Sequence, residues 1–138
     1  MIRFNYENEF KLNDESRIEH WILKVIELEG FTVNEVNYVF CSDSYLHNLN
    51  LQYLNHDTLT DVISFDYSIG KNLQGDIYIS TDRVRENALN FEVDFSNELC
   101  RVMVHGILHY CGYNDKTQSE SDIMRQKEDL YLDLLVNI

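Results

Sequence analysis

The sequence predicts a single α/β (α+β) domain over residues 1–138, with a small mixed sheet of about four strands and five to six helices. Three observations predict it. Strand-like and helix-like periodicities succeed one another in the order β-α-β-α-β-β-α-α-α. Apolar residues make up 44% of the 138 residues and aromatics 12%, enough for one core of useful size. No proline, low-complexity run or internal repeat marks a linker or a second unit.

The elements follow in order. Ile2–Tyr6 alternates as a first strand. Asp14–Leu28 places Ile18, Trp21, Ile22, Val25 and Ile26 at helical spacing, and Gly30 closes it. Glu35–Cys41 is β-branched and aromatic, hence a strand. Ser42–Tyr53 reads as a short helix with Leu46, Leu49 and Tyr53 inward. Thr60–Tyr67 and Asp76–Ser80 are strands, the second entered after Gly75. Thr81–Leu89 is helical, capped by Ser80 or Thr81. Ser96–Tyr110 is the central helix, apolar around much of its circumference and so buried. Gly112 suits a left-handed stop, and Thr117-Gln-Ser-Glu120 fits a capping box that opens a last helix to about Leu135.

Composition narrows function. The N-terminus lacks a basic segment followed by an apolar run, so no signal peptide is expected, and no stretch approaches the roughly 20 apolar residues of a membrane span. Cys41, Cys100 and Cys111 are odd in number and lack C-x-x-C spacing, as for buried free thiols in a reducing cytoplasm. The net charge of −13 excludes broad, non-specific capture of nucleic acid. The charge is uneven: residues 1–80 hold 5 basic and 13 acidic groups, residues 81–127 hold 6 and 8. The cations gather where the chemistry-bearing residues lie.

Those residues are His105-Gly-Ile-Leu-His109-Tyr-Cys-Gly112-Tyr-Asn-Asp115. Two histidines four apart project from one helix face and can grip one metal. Gly112 lets the chain turn back, and Asp115 supplies a third ligand from the loop. Three N/O ligands without a fourth leave a place for water, the pattern of a catalytic zinc site on a central helix and its following loop. The alternative, two satisfied or surface histidines, is the weaker reading because unpaired imidazoles in a buried helix are costly. Cys111 lies about 200° around the helix from His109 at 100° per residue, so it faces away. The ligand offsets match the zinc-peptidase pattern H-E-x-x-H-x-x-G-x-x-H, but Gly106 stands where that chemistry needs a glutamate base.

With these residues in hand, the sequence resembles the YbeY family of bacterial endoribonucleases, or rRNA maturation factors. The metal segment is similar to the family's H-G-x-L-H-x-x-G-Y-x-H/D at His105, Gly106, Leu108, His109, Gly112, Tyr113 and Asp115. Thr60-Asp-Val-Ile-Ser-Phe65 resembles T-D-V-L-S-F, Gly75-Asp-Ile-Tyr-Ile79 the G-D-I strand, and Met124-Arg-Gln-Lys-Glu-Asp129 part of the final helix. The matches run in the family's order from about Leu49 onward. The resemblance implies one zinc ion, processing of rRNA ends, ribosome quality control, a cytoplasmic location and association with the small ribosomal subunit. Three departures stand out. The third ligand is Asp115 where the family usually has His. Leu54 replaces an arginine that follows L-N-x-x-Y and would suit a substrate phosphate. Leu59 stands where the family often has proline.

The expected mechanism is metal-assisted phosphodiester hydrolysis: His105, His109 and Asp115 act through the metal, which acidifies its water and polarises a phosphoryl oxygen. Arg101, one turn before His105, is a candidate phosphate contact, as are Arg83, Arg85 and His56; each is otherwise a surface charge, an ion pair or a loop histidine. Asp61 either orients a ligand histidine or caps its own loop through backbone N–H groups. No general base is identifiable. Two rivals stand beside this reading: a zinc hydrolase acting on a small amide or ester, and a ribosome-assembly factor whose zinc only fastens loop to helix.

Overall fold

A computed structural model describes residues 1–54 and 60–138. Strands β1 (Ile2–Tyr6), β2 (Thr32–Cys41), β3 (Val62–Asp66) and β4 (Asn72–Ser80) form one mixed sheet in the order β1-β2-β4-β3. β1 and β4 run parallel to β2, whereas β3 pairs antiparallel with β4 and lies at the edge. Helices α1 (Glu15–Leu28), α2 (Asp43–Leu49), α3 (Thr81–Phe91), α4 (Phe95–Tyr110) and α5 (Gln118–Val136) complete the domain, with a π-helical turn at Asn50–Leu54. The expected architecture and element order therefore hold.

The core forms where the period-3.6 and period-2 faces meet. Trp21, Ile22 and Val25 of α1 and Met103, Ile107 and Leu108 of α4 are fully buried against Val36, Tyr38, Phe40, Ile77 and Ile79 of the sheet. The polar atoms of two buried core rings are satisfied: Trp21 Nε1 donates to the Tyr131 carbonyl (2.7 Å) and the Tyr38 hydroxyl to that of Met103 (2.8 Å). Alternation along β4 turns Tyr78 to the opposite face, where Cys41, Leu46 and Ile63 form a second, smaller cluster with Phe65.

Several element bounds differ from the sequence reading, and three of the differences have a packing reason. β2 begins at Thr32 rather than Glu35, because Thr32 and Val33 already pair with Asn72 and Leu73. β4 begins at Asn72, ahead of Gly75, which is an interior strand residue: a Cβ there would lie 2.4 Å from both the Phe65 carbonyl and the Tyr110 hydroxyl. Only glycine admits that approach. The segment Ser42–Tyr53 is two pieces, α2 and the π-helical turn. The wider turn shifts the register, so Leu46 is buried as expected but Tyr53 is exposed, its ring edge-on to Phe65 at 6.0 Å. The thiols of Cys41 and Cys100 are buried, that of Cys111 partly so, and burial pushes them up to about 12, 11 and 12, far from thiolate formation at neutral pH.

Candidate metal centre

Two local devices bring Asp115 to the histidine pair. α4 ends in a Schellman motif. Gly112, at φ +100°, donates its N–H to the His109 carbonyl (3.0 Å), and Tyr113 donates to that of Leu108 (3.0 Å). α5 opens with the capping box of Thr117 and Glu120. Asp115 lies in the short span between these fixed ends, its carbonyl accepting from Ser121 Oγ (3.3 Å).

The ligand atoms converge. His105 Nε2 and His109 Nε2 are 2.9 Å apart, and Asp115 Oδ2 lies 3.3 Å from the first and 3.4 Å from the second. A tetrahedral zinc with bonds of about 2.0–2.1 Å holds its ligand atoms roughly 3.3 Å from one another, so the triangle fits. The outer nitrogens decide the protonation pattern. His109 Nδ1 lies 2.9 Å from the Tyr113 carbonyl, which only accepts, so Nδ1 carries the proton. His105 Nδ1 donates in the same way to Glu128 Oε2 at 2.7 Å. With Nδ1 of each ring donating outward, the two Nε2 atoms face each other at hydrogen-bond distance and are the nitrogens left to meet a cation. Among the described residues, His105, His109 and Asp115 form the only such cluster of metal-ligating side chains.

Beside the triad runs a cleft of about 200 Å³, lined by Asp61, Val62, Glu98, Arg101, His105, Arg125 and Glu128 among others. Glu128, only 7% exposed at its side chain, is the hub: it accepts from His105 and from Arg101 Nη1 (2.8 Å), while Arg101 Nη2 meets Asp129 (2.7 Å). Burial raises the Glu128 carboxyl, but hydrogen bonds from His105 and Arg101 outweigh it and hold the group below its usual value. Burial pushes Glu98 and Asp61 up, each above the ordinary carboxylate value; at Glu98 the charge of Asp61 adds to the effect.

The sequence-derived candidates separate. Arg101 lines the cleft, but its charge is engaged by two carboxylates. Arg83 pairs with Asp43 at 2.9 Å, and its field reaches Asp61. Arg85 stacks on the Phe95 ring at 4.4 Å. Neither Arg83 nor Arg85 lines the cleft. His56 and Leu59 lie outside the described residues. Asp61 precedes β3, which starts at Val62; burial raises its carboxyl, while the neighbouring backbone amides and the charges of His105 and Arg83 act the other way. Glu128, Tyr113 and Arg125 were assigned no role from sequence. Gly106 packs on β4, where a Cβ would come within 2.9 Å of Ile77 Cδ1, so a larger residue there would have to displace the Ile77 side chain.

Burial disfavours charge on His105, yet the hydrogen bond and charge of Glu128, joined by Asp115 and Asp61, hold its titration above the ordinary 6.5. Raised in the fold, this group contributes stability to the metal-free protein below the unfolded value, and that contribution is lost as pH rises through the folded one. Zinc needs the same lone pair. Zinc titrations between about pH 8 and 6 should therefore show affinity falling, and proton release rising, as pH drops through the His105 transition.

This fold, with a His/His/Asp group able to hold a metal ion on a helix and the following loop, is that of a metal-dependent hydrolase. A family profile described as endoribonuclease YbeY matches residues 3–136. The chain is 57% identical over 134 residues to the endoribonuclease YbeY of Flavobacterium psychrophilum (97% of this chain, 96% of that one). It is 54% identical over 129 residues to that of Flavobacterium johnsoniae (94% and 93%). A Thermotoga maritima protein of known solution structure superposes with a TM-score of 0.72 at 29% identity, over 98% of this chain and 89% of that one. The chain belongs to the YbeY endoribonuclease family.

Proposed function

We propose that the chain is a metal-dependent endoribonuclease that matures rRNA ends and takes part in ribosome quality control, holding one zinc ion through His105, His109 and Asp115. The observation that carries this reading is the closed triangle of Nε2, Nε2 and Oδ2, with both Nδ1 atoms already committed to Glu128 and Tyr113. Bound there, zinc supplies Lewis acidity and an acidified water at neutral pH. The residues of the chain orient and hold. Glu128 and the Tyr113 carbonyl fix the two imidazoles, and Asp115 contributes a negative ligand that lowers site charge relative to a histidine. The partners are rRNA and the small ribosomal subunit, and the location is the cytoplasm. No helix of the described residues is long and apolar enough to cross a membrane.

Arg101, Arg83, Arg85 and His56 remain the candidate phosphate contacts from sequence, and Arg125 joins them. Its side chain is 63% exposed at the cleft, with Nη1 3.9 Å from Glu128. It is the less committed of the two arginines lining the cleft. The test is a panel: structured RNA, generic esters and peptides, with and without chelator. RNA cleavage alone is expected, and chelator should stop it. Ester turnover without RNA cleavage would support the small-substrate rival, and ribosome association without cleavage the assembly rival. On RNA, Arg125→Ala should lower kcat/KM by about 5- to 10-fold and reduce the log–log salt slope by about 1.

A further inference from the structure

Glu29 lies at the far end of α1, beyond any ligand distance from the metal centre, yet its surroundings connect it to both ligand histidines. Its side chain is 8% exposed and collects three donors. Tyr113 donates its hydroxyl to Oε1 at 2.7 Å, and Lys127 Nζ reaches Oε2 at 3.1 Å. The Tyr131 hydroxyl donates to the same Oε2. These donors come from two elements, the metal loop and α5. Lys127 also lies over the Tyr113 ring, 5.5 Å from its centroid.

The consequence lies one bond further on. Tyr113, held by its hydroxyl, offers its carbonyl to His109 Nδ1. Lys127 immediately precedes Glu128, whose carboxylate accepts from His105 Nδ1. The outer partners of both imidazoles therefore hang on positions that one buried carboxylate fixes. From this juxtaposition we infer that Glu29 is a positioning residue for the metal centre: it sets the placement of the Tyr113 carbonyl and, through α5, of Glu128, and so preorganises the two Nε2 atoms for a cation. Outer partners of ligating histidines typically govern metal affinity by 10- to 100-fold, and a residue that holds two of them should act on the same quantity. The inference rests on His105, His109 and Asp115 being the ligands.

A residue that merely glued α1 to α5 would lower the melting temperature and nothing else, so the readout is zinc affinity of folded protein, by competition with a chromophoric chelator. Glu29→Gln keeps the shape but removes the charge that Lys127 meets. It should raise the zinc dissociation constant about tenfold or more. Tyr113→Phe deletes only the hydroxyl, keeps the carbonyl, and should give a loss of similar size. Ile26→Val, a core truncation on the same helix, should lower the melting temperature and leave zinc affinity within about twofold. Glu29→Gln and Tyr113→Phe proteins that melt earlier but bind zinc like the wild type would overturn the inference. Should Glu29→Gln fail to fold, Tyr113→Phe decides alone. A wild-type chain that took up no zinc would overturn the ligand assignment itself, and this inference with it.

Discussion

His109→Ala is expected to abolish stoichiometric zinc binding and to lower kcat/KM on RNA by on the order of 10³-fold or more. The imidazole supplies one corner of a triangle whose remaining edge, His105 Nε2 to Asp115 Oδ2, is 3.3 Å. Two ligands without the third give no comparable grip, and the Tyr113 carbonyl loses its donor as well. The comparison with Asp115 sharpens the expectation. Asp115→Asn keeps an oxygen ligand but drops its charge, so zinc affinity should fall without vanishing. Asp115→His restores the ligand usual in the family and should retain one zinc per chain. Metal analysis of protein purified without added zinc, alongside RNA cleavage, reads both quantities. Wild-type metal content and nuclease activity in His109→Ala would remove zinc from the mechanism.

The convergence of His105, His109 and Asp115 was legible in the sequence because its geometry is local. An i, i+4 histidine pair must share a helix face, Gly112 must end that helix, and the Thr117–Glu120 capping box must begin the next. Asp115 had only the loop between them to occupy. What surrounds the ligands was not legible, because its contacts are distant in sequence and carry no period. Glu128 reaches His105 across 23 residues and Glu29 reaches Tyr113 across 84. The partner of His109 is a backbone carbonyl, which no residue type announces. Arg101 was placed on the right face, but helical spacing says nothing about the two carboxylates of α5 that engage it. The same limit applies to Asp61. The sequence reading placed it inside a strand, Thr60–Tyr67, whereas it stops just short of β3 and lines the cleft. Periodicity thus located the elements and the residues fixed by them, and long-range polar contacts account for the rest.

Gly75→Ala is expected to destabilise the fold by about 3 kcal/mol or more, lowering the melting temperature by roughly 10 °C for a domain of this size. The glycine lies in β4 opposite Asp66 of β3, and α4 sends Tyr110 down onto it. The Tyr110 hydroxyl donates to the Phe65 carbonyl (2.9 Å) and lies 3.2 Å from that of Asp76, so the last turn of α4 is fastened to both β3 and β4. A methyl group at residue 75 would sit 2.4 Å from the Phe65 oxygen and 2.4 Å from that hydroxyl. Backbone cannot yield as a side-chain tip can, so the ring must move and its hydrogen bonds go with it. Tyr110 directly follows His109, so the same displacement disturbs the ligand helix where it meets the metal loop. Tyr110→Phe alone should cost about 1–2 kcal/mol. Combined with Gly75→Ala it should cost clearly less than the two separate losses together, because the hydroxyl involved in the clash has already gone. Strict additivity in that double-mutant cycle, measured by denaturant unfolding, would mean that the glycine is required by strand pairing alone and not by the approach of Tyr110.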